Sequence, residues 1–149
     1  MWQRKQTIFL ICSIIAIAIC LFEPVAVANA STGLGEEHLL MNLGLQNSGN
    51  IDFMPVWPLF VLATVVGVLS TIGIFLFHSR KLQMKVCTYA MIADILWYVY
   101  YIILFVQSEL EMNIRFAACL PLVSCIFLWL AKKGIKADDD LVKSMDRIR

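Results

Sequence analysis

Four long apolar runs, separated by polar connections, divide this chain. Ile8–Phe22 is 15 residues long, Leu59–Phe77 is 19 with no charge, Val86–Val106 is 21 with Asp94 as its one charge, and Phe116–Ala131 is 16. A helix needs ~20 residues to cross ~30 Å of hydrocarbon. The second and third runs meet that length, and the first meets it if extended towards Ala28. The pattern predicts four spans at about 6–28, 59–77, 86–106 and 116–131. They make one membrane domain over residues 1–149, an all-α integral membrane four-helix bundle.

The connections carry their own signals. Residues 29–57 hold Gly33, Gly35, Gly44, Asn47, Ser48, Gly49 and Asn50, which is turn chemistry without sustained periodicity. The expectation is a long outer loop, with Glu36–Met41 as a turn of helix and Ile51–Met54 as a short extended piece. Pro55 and Pro58 flank Trp57, which places an aromatic at the membrane interface and a helix start beside it. Residues 78–85 read as a short inner turn and 107–115 as a short outer one. In the tail, residues 132–149, Asp138, Asp139 and Asp140 suit a helix start, while Leu141, Val142, Met145 and Ile148 form one stripe. A short amphipathic helix on the inner membrane surface is expected there. A helix docked on a partner would leave the same trace.

Charge orients these spans. Arg4 and Lys5 precede the first run, Arg80, Lys81 and Lys85 lie between the second and third, and six bases follow the fourth. Eleven of the twelve Lys and Arg therefore fall on one side; the other side holds only Arg115, with Glu23, Glu36, Glu37, Asp52, Glu109 and Glu111. The positive-inside rule makes that basic side cytoplasmic and puts both termini there. Arg80, Lys81, Lys85, Lys132 and Lys133 are the candidate contacts to anionic headgroups. Nucleic acid is a poor partner for bases that hug the membrane. The composition, 60% hydrophobic and 15% charged with a mean hydropathy of +0.79, excludes an ordinary soluble domain.

The first run has a second reading. A charged start, an apolar stretch, Pro24 and the small-x-small triplet Ala28-Asn29-Ala30 are also the parts of a cleavable signal peptide. The five cysteines lie in or beside apolar runs without a C-x-x-C pair, and read as small hydrophobes. Helix packing is expected from Ala63, Gly67 and Thr71, spaced four apart, and from Ala117, Pro121, Ser124 and Cys125.

Asp94 is the sharpest chemical candidate. It sits eight residues into its span, ~12 Å along a helix, and no span holds a Lys, Arg or His to pair with it. An ionised carboxylate at such depth costs ~2.5–3.5 kcal/mol on the lenient insertion scale. Tyr98 and Tyr101 share its helical face, and Ser70 and Ser124 are candidate partners from other spans. One reading is a neutral acid anchoring helices together; the other is a titratable site handling protons or cations. His38 beside Glu36 and Glu37 lacks the spacing of a metal site. No catalytic triad, P-loop, zinc or dinucleotide fingerprint occurs, so neither an enzyme, a metal nor a cofactor is expected.

Several strings resemble a known family. Met1-Trp2-Gln3-Arg4-Lys5-Gln6-Thr7, the turn Ser79-Arg80-Lys81-Leu82-Gln83, and the closing stretch from Leu120-Pro121-Leu122 through Lys133-Gly134-Ile135-Lys136 to Asp146-Arg147-Ile148-Arg149 are similar to small Bacteroidota membrane proteins, domain of unknown function 4293. The resemblance implies a four-span protein of the bacterial inner membrane with its first span retained. It brings no activity. The expectation is a small accessory or scaffold subunit whose partners are lipid and other membrane proteins or itself. The alternative is a small oligomeric transporter or channel using Asp94.

Overall fold

The computed structural model describes residues 3–29, 37–47, 50–52, 56–76, 79–107 and 111–146. Four α-helices carry most of them: α1 (Gln3–Phe22), α2 (Trp57–Phe75), α3 (Arg80–Gln107) and α4 (Leu120–Asp146), the last entered through a 3-10 turn at Phe116–Cys119. Prolines set several of the ends. Pro58 occupies the first turn of α2 and Pro121 that of α4, where a missing N–H costs nothing, and Pro24 follows the end of α1.

The helices form a ring in which α1 and α3 each lie against both α2 and α4. Leu10 faces Gly73 and Ile17 faces Gly67, so α1 and α2 run antiparallel. The buried faces are narrow and small: Leu59, Ala63, Val66, Ser70 and Gly73 on α2, and Cys87, Ala90, Ala93, Asp94, Trp97 and Tyr101 on α3. The opposite faces expose Ile, Val, Leu and Phe, from Ile8 to Phe22 on α1 and from Ile92 to Val106 on α3. The core is apolar apart from a few polar groups, and the outer faces are aliphatic too, so these helices lack the polar outer face of a soluble bundle.

A five-stranded antiparallel sheet covers one end. Its strands are β1 (Ala26–Asn29), β2 (Glu37–Leu40), β3 (Leu45–Asn47), β4 (Asn50–Asp52) and β5 (Glu111–Ile114), in the order β4-β3-β2-β1-β5. Ala26 stands between Leu40 on one side and Ile114 on the other. Met41 and Gly44 exchange backbone bonds at 3.0 and 3.2 Å, closing a two-residue hairpin on Asn42 and Leu43. Val25, Ala26 and Leu40 join the helices' own core.

The described residues are mostly helical, as expected, but the sheet is an addition that the all-α expectation did not include. Residues placed in a long outer loop pair instead, and Glu37–Leu40, read as a helical turn, is a strand. Strands of three or four residues are too short to show alternation. Backbone lying over apolar helix ends must find partners, and pairing supplies them. The first helix likewise does not reach Ala28: α1 stops at Phe22 and the chain turns into β1. The stretch read as inner turn 78–85 is largely helix, since α3 begins at Arg80 rather than near Val86.

Among the described residues no separate amphipathic helix follows the fourth apolar run either. α4 passes unbroken through Gly134 because its inner stripe continues through Leu128, Ala131 and Ile135, all fully buried. Arg80 then holds the next turn through the Asp138 carboxylate at 3.3 Å.

Candidate functional site

One oxygen-bearing side chain from each helix meets in the middle of the ring. Ser13 Oγ of α1 lies 3.4 Å from Ser70 Oγ of α2 and 2.9 Å from Ser124 Oγ of α4. Ser124 Oγ in turn donates to Asp94 Oδ2 of α3 at 3.2 Å. All four residues are at most 1% exposed. The other carboxylate oxygen, Asp94 Oδ1, has no hydrogen-bond partner, and among the described residues no other buried side-chain nitrogen or oxygen is left so.

The structure thus brings together two of the four residues expected near Asp94 and leaves two apart. Ser70 and Ser124 join the cluster. The Tyr98 hydroxyl instead donates to the Ala118 carbonyl at 2.7 Å and accepts from the Leu122 N–H at 3.0 Å, so it caps the start of α4. The Tyr101 hydroxyl reaches the Val25 carbonyl at 3.4 Å. Both tyrosines are long enough to carry their hydroxyls past the acid to the sheet end. Ser13 escaped the sequence reading, although it is the only hydroxyl in the run Ile8–Phe22.

A second polar group lies under the sheet. Asn42, fully buried at the hairpin, accepts from the Trp97 indole N–H at 3.1 Å and donates to the carbonyl of Cys20 in the last turn of α1. Trp97 stacks on Tyr101 with centroids 5.2 Å apart. At the opposite end Gln83 donates to the Gly73 carbonyl at 2.9 Å, closing the last turn of α2. Helix ends that cannot be hydrated thus receive side chains from elsewhere in the chain.

The basic candidates gather at this opposite end. Arg80 is engaged with Asp138, Lys133 lies 5.3 Å from the centre of the Trp129 ring, Lys81 and Lys85 are exposed, and Lys132 is half-buried. The expected packing stripe splits. Ala63 is buried, while Gly67 and the exposed Thr71 line an open apolar groove of about 420 Å³ together with Ile14, Ile17, Val68 and Phe75. The Thr71 hydroxyl bonds its own helix at the Gly67 carbonyl, turning its methyl outward.

Among the described residues three helices are long and apolar enough to cross a membrane: Trp57–Phe75, Arg80–Gln107 and Phe116–Met145; the apolar part of α1, Gln6–Phe22, is shorter. With the apolar exterior, this is the make-up of a helical membrane protein. The family model for a domain of unknown function, DUF4293, matches residues 2–148, and the chain belongs to that family. No curated protein matches the chain.

Proposed function

We propose that the protein is a four-span subunit of a bacterial inner membrane, with both termini cytoplasmic, acting as an accessory or scaffold component and not as an enzyme. The observation carrying this reading is the apolar exterior: all four helices turn aliphatic side chains outward, while the few buried polar groups are nearly all hydrogen-bonded within the protein. Such a molecule offers surfaces to lipid and to other membrane helices. The sequence's charge asymmetry supports the orientation, with Arg80, Lys81, Lys85, Lys132 and Lys133 towards cytoplasmic headgroups. The bacterial setting follows from the resemblance to Bacteroidota proteins.

The fourth span is α1. Its 20 residues extend ~30 Å at 1.5 Å per residue, the thickness of the hydrocarbon. It supplies Ser13 to the central cluster, and the chain directly after it supplies β1, the strand between β2 and β5. Both facts favour retention over cleavage after Ala30.

The test is labelling of single cysteines placed at residues 2 and 149, in a Cys119→Ala background, with a membrane-impermeant thiol reagent on intact cells. Protection of both positions until the membrane is opened is expected. Labelling of either from outside overturns the orientation.

A transporter or channel is the second reading, favoured by the free Asp94 oxygen. It requires oligomerisation, because four helices around one sealed acid line no continuous path. Growth under ion or pH stress that is unchanged by Asp94→Asn would remove it.

A further inference from the structure

We propose that Ser13, Ser70, Asp94 and Ser124 form a site for one small monovalent cation of the sodium class. This goes beyond the scaffold reading and rests only on its membrane-embedded half. The donor set is entirely oxygen, one side chain from each helix, and the spans contain no Lys, Arg or His. Hydroxyl and carboxylate oxygens suit hard cations rather than transition metals.

Charge decides the valence. The site holds a single carboxylate, so a monovalent ion leaves it neutral, whereas a divalent ion leaves an uncompensated positive charge in an apolar interior.

The spacing agrees. Successive oxygens are 3.4, 2.9 and 3.2 Å apart. An ion with oxygen ligands at ~2.3–2.6 Å holds adjacent ligands roughly 3.3–3.7 Å apart at right angles. Ser13 and Ser124 need only part by a few tenths of an ångström, within the reach of a hydroxyl changing its rotamer.

Asp94 Oδ1 separates a cation from a proton. A proton on Oδ2, shared with Ser124, removes the charge and leaves Oδ1 buried without a partner. A cation removes the charge and occupies Oδ1 as well. An orphaned oxygen that is 1% exposed is the feature a purely structural neutral acid does not account for.

The experiment is thermal unfolding of the full-length protein in detergent micelles, titrating sodium chloride against choline chloride at constant ionic strength and pH. A saturable rise in Tm with sodium is expected in the wild type and lost in Asp94→Asn. Ser13→Ala and Ser70→Ala keep the carboxylate and should raise half-saturating sodium about tenfold; they carry the test if Asp94→Asn does not fold. Identical Tm in both salts overturns the proposal, and an infrared stretch of a protonated carboxyl that Asp94→Asn removes would assign the site to a proton instead. Release from membranes by alkaline washing without detergent would separately overturn the membrane-embedded reading, whatever the salt response.

Discussion

The indole N–H of Trp97 donates to Asn42 Oδ1 at 3.1 Å, tying the middle of α3 to the tip of the β2–β3 hairpin. The same asparagine donates to the Cys20 carbonyl, so one side chain closes α1 and seats the sheet on the helices. Asn42→Leu removes both bonds while keeping the branching and number of heavy atoms, and leaves an indole N–H and a carbonyl buried and unpaired. Each such orphan costs about 1–3 kcal/mol. The expected outcome is a loss of at least ~2 kcal/mol in reversible unfolding in micelles. A double-mutant cycle with Trp97→Phe should show coupling above ~0.5 kcal/mol, since the residues share a bond. Additivity of the two changes would sink the proposed linkage.

Tyr98 gives a sharper contrast, because sequence and structure assign it different work. As a neighbour of Asp94, its hydroxyl would matter to the central cluster. Where it lies, it caps α4 through Leu122 N and Ala118 O. Tyr98→Phe should therefore cost about 1 kcal/mol of stability, in the range of a lost cap. It should leave any sodium dependence of Tm where it was. A shift in half-saturating sodium comparable to that of Ser13→Ala would return Tyr98 to the cluster.

The apolar runs were legible because lipid-facing helices need no pattern beyond length: Leu59–Phe77 and Val86–Val106 both fall largely within α2 and α3. Asp94 was legible because a charge stands out in such a run, and Ser70 and Ser124 because they were polar and at plausible depth. Ser13 and Asn42 were not, although both are fully buried. A serine in a span is common, and an asparagine in a Gly-rich stretch reads as turn chemistry. Only the hairpin, which closes through Met41 and Gly44, turns Asn42 down onto the helices. The sheet stayed hidden for a related reason. β1 pairs with β5 across more than eighty residues, and no local rule anticipates a partner that distant.

Gly134 tests why α4 continues past its apolar run. A Cβ built there would stand 3.2 Å from Gln6 Cγ, a close approach to a flexible side chain rather than to backbone. Alanine gains about 1 kcal/mol of helix propensity over glycine. A shift of Gln6 by a few tenths of an ångström costs less than that. Gly134→Ala is therefore expected to leave stability unchanged or raise it slightly. Gly134→Pro should break α4, part Arg80 from Asp138, and lower Tm by several degrees. A pronounced loss in Gly134→Ala would mean that Gln6 is held too firmly to yield.

The sharpest consequence of the fold concerns the first thirty residues. If they were removed after Ala30, the cluster would lose Ser13, the oxygen that links Ser70 to Ser124. The core would lose Leu10, Ile17 and Cys20, all nearly or fully buried. β2 and β5 would lose the strand that stands between them. Three buried apolar side chains alone are worth several kcal/mol, at ~1.5–3 kcal/mol each for the larger two, against a typical total stability of ~5–15 kcal/mol. Intact mass of the protein extracted from membranes should therefore correspond to a chain that keeps α1. A mass beginning at Ser31 would leave three helices around an open central cluster. The surface for partners would then be the exposed faces of α2 and α4 that α1 covers here.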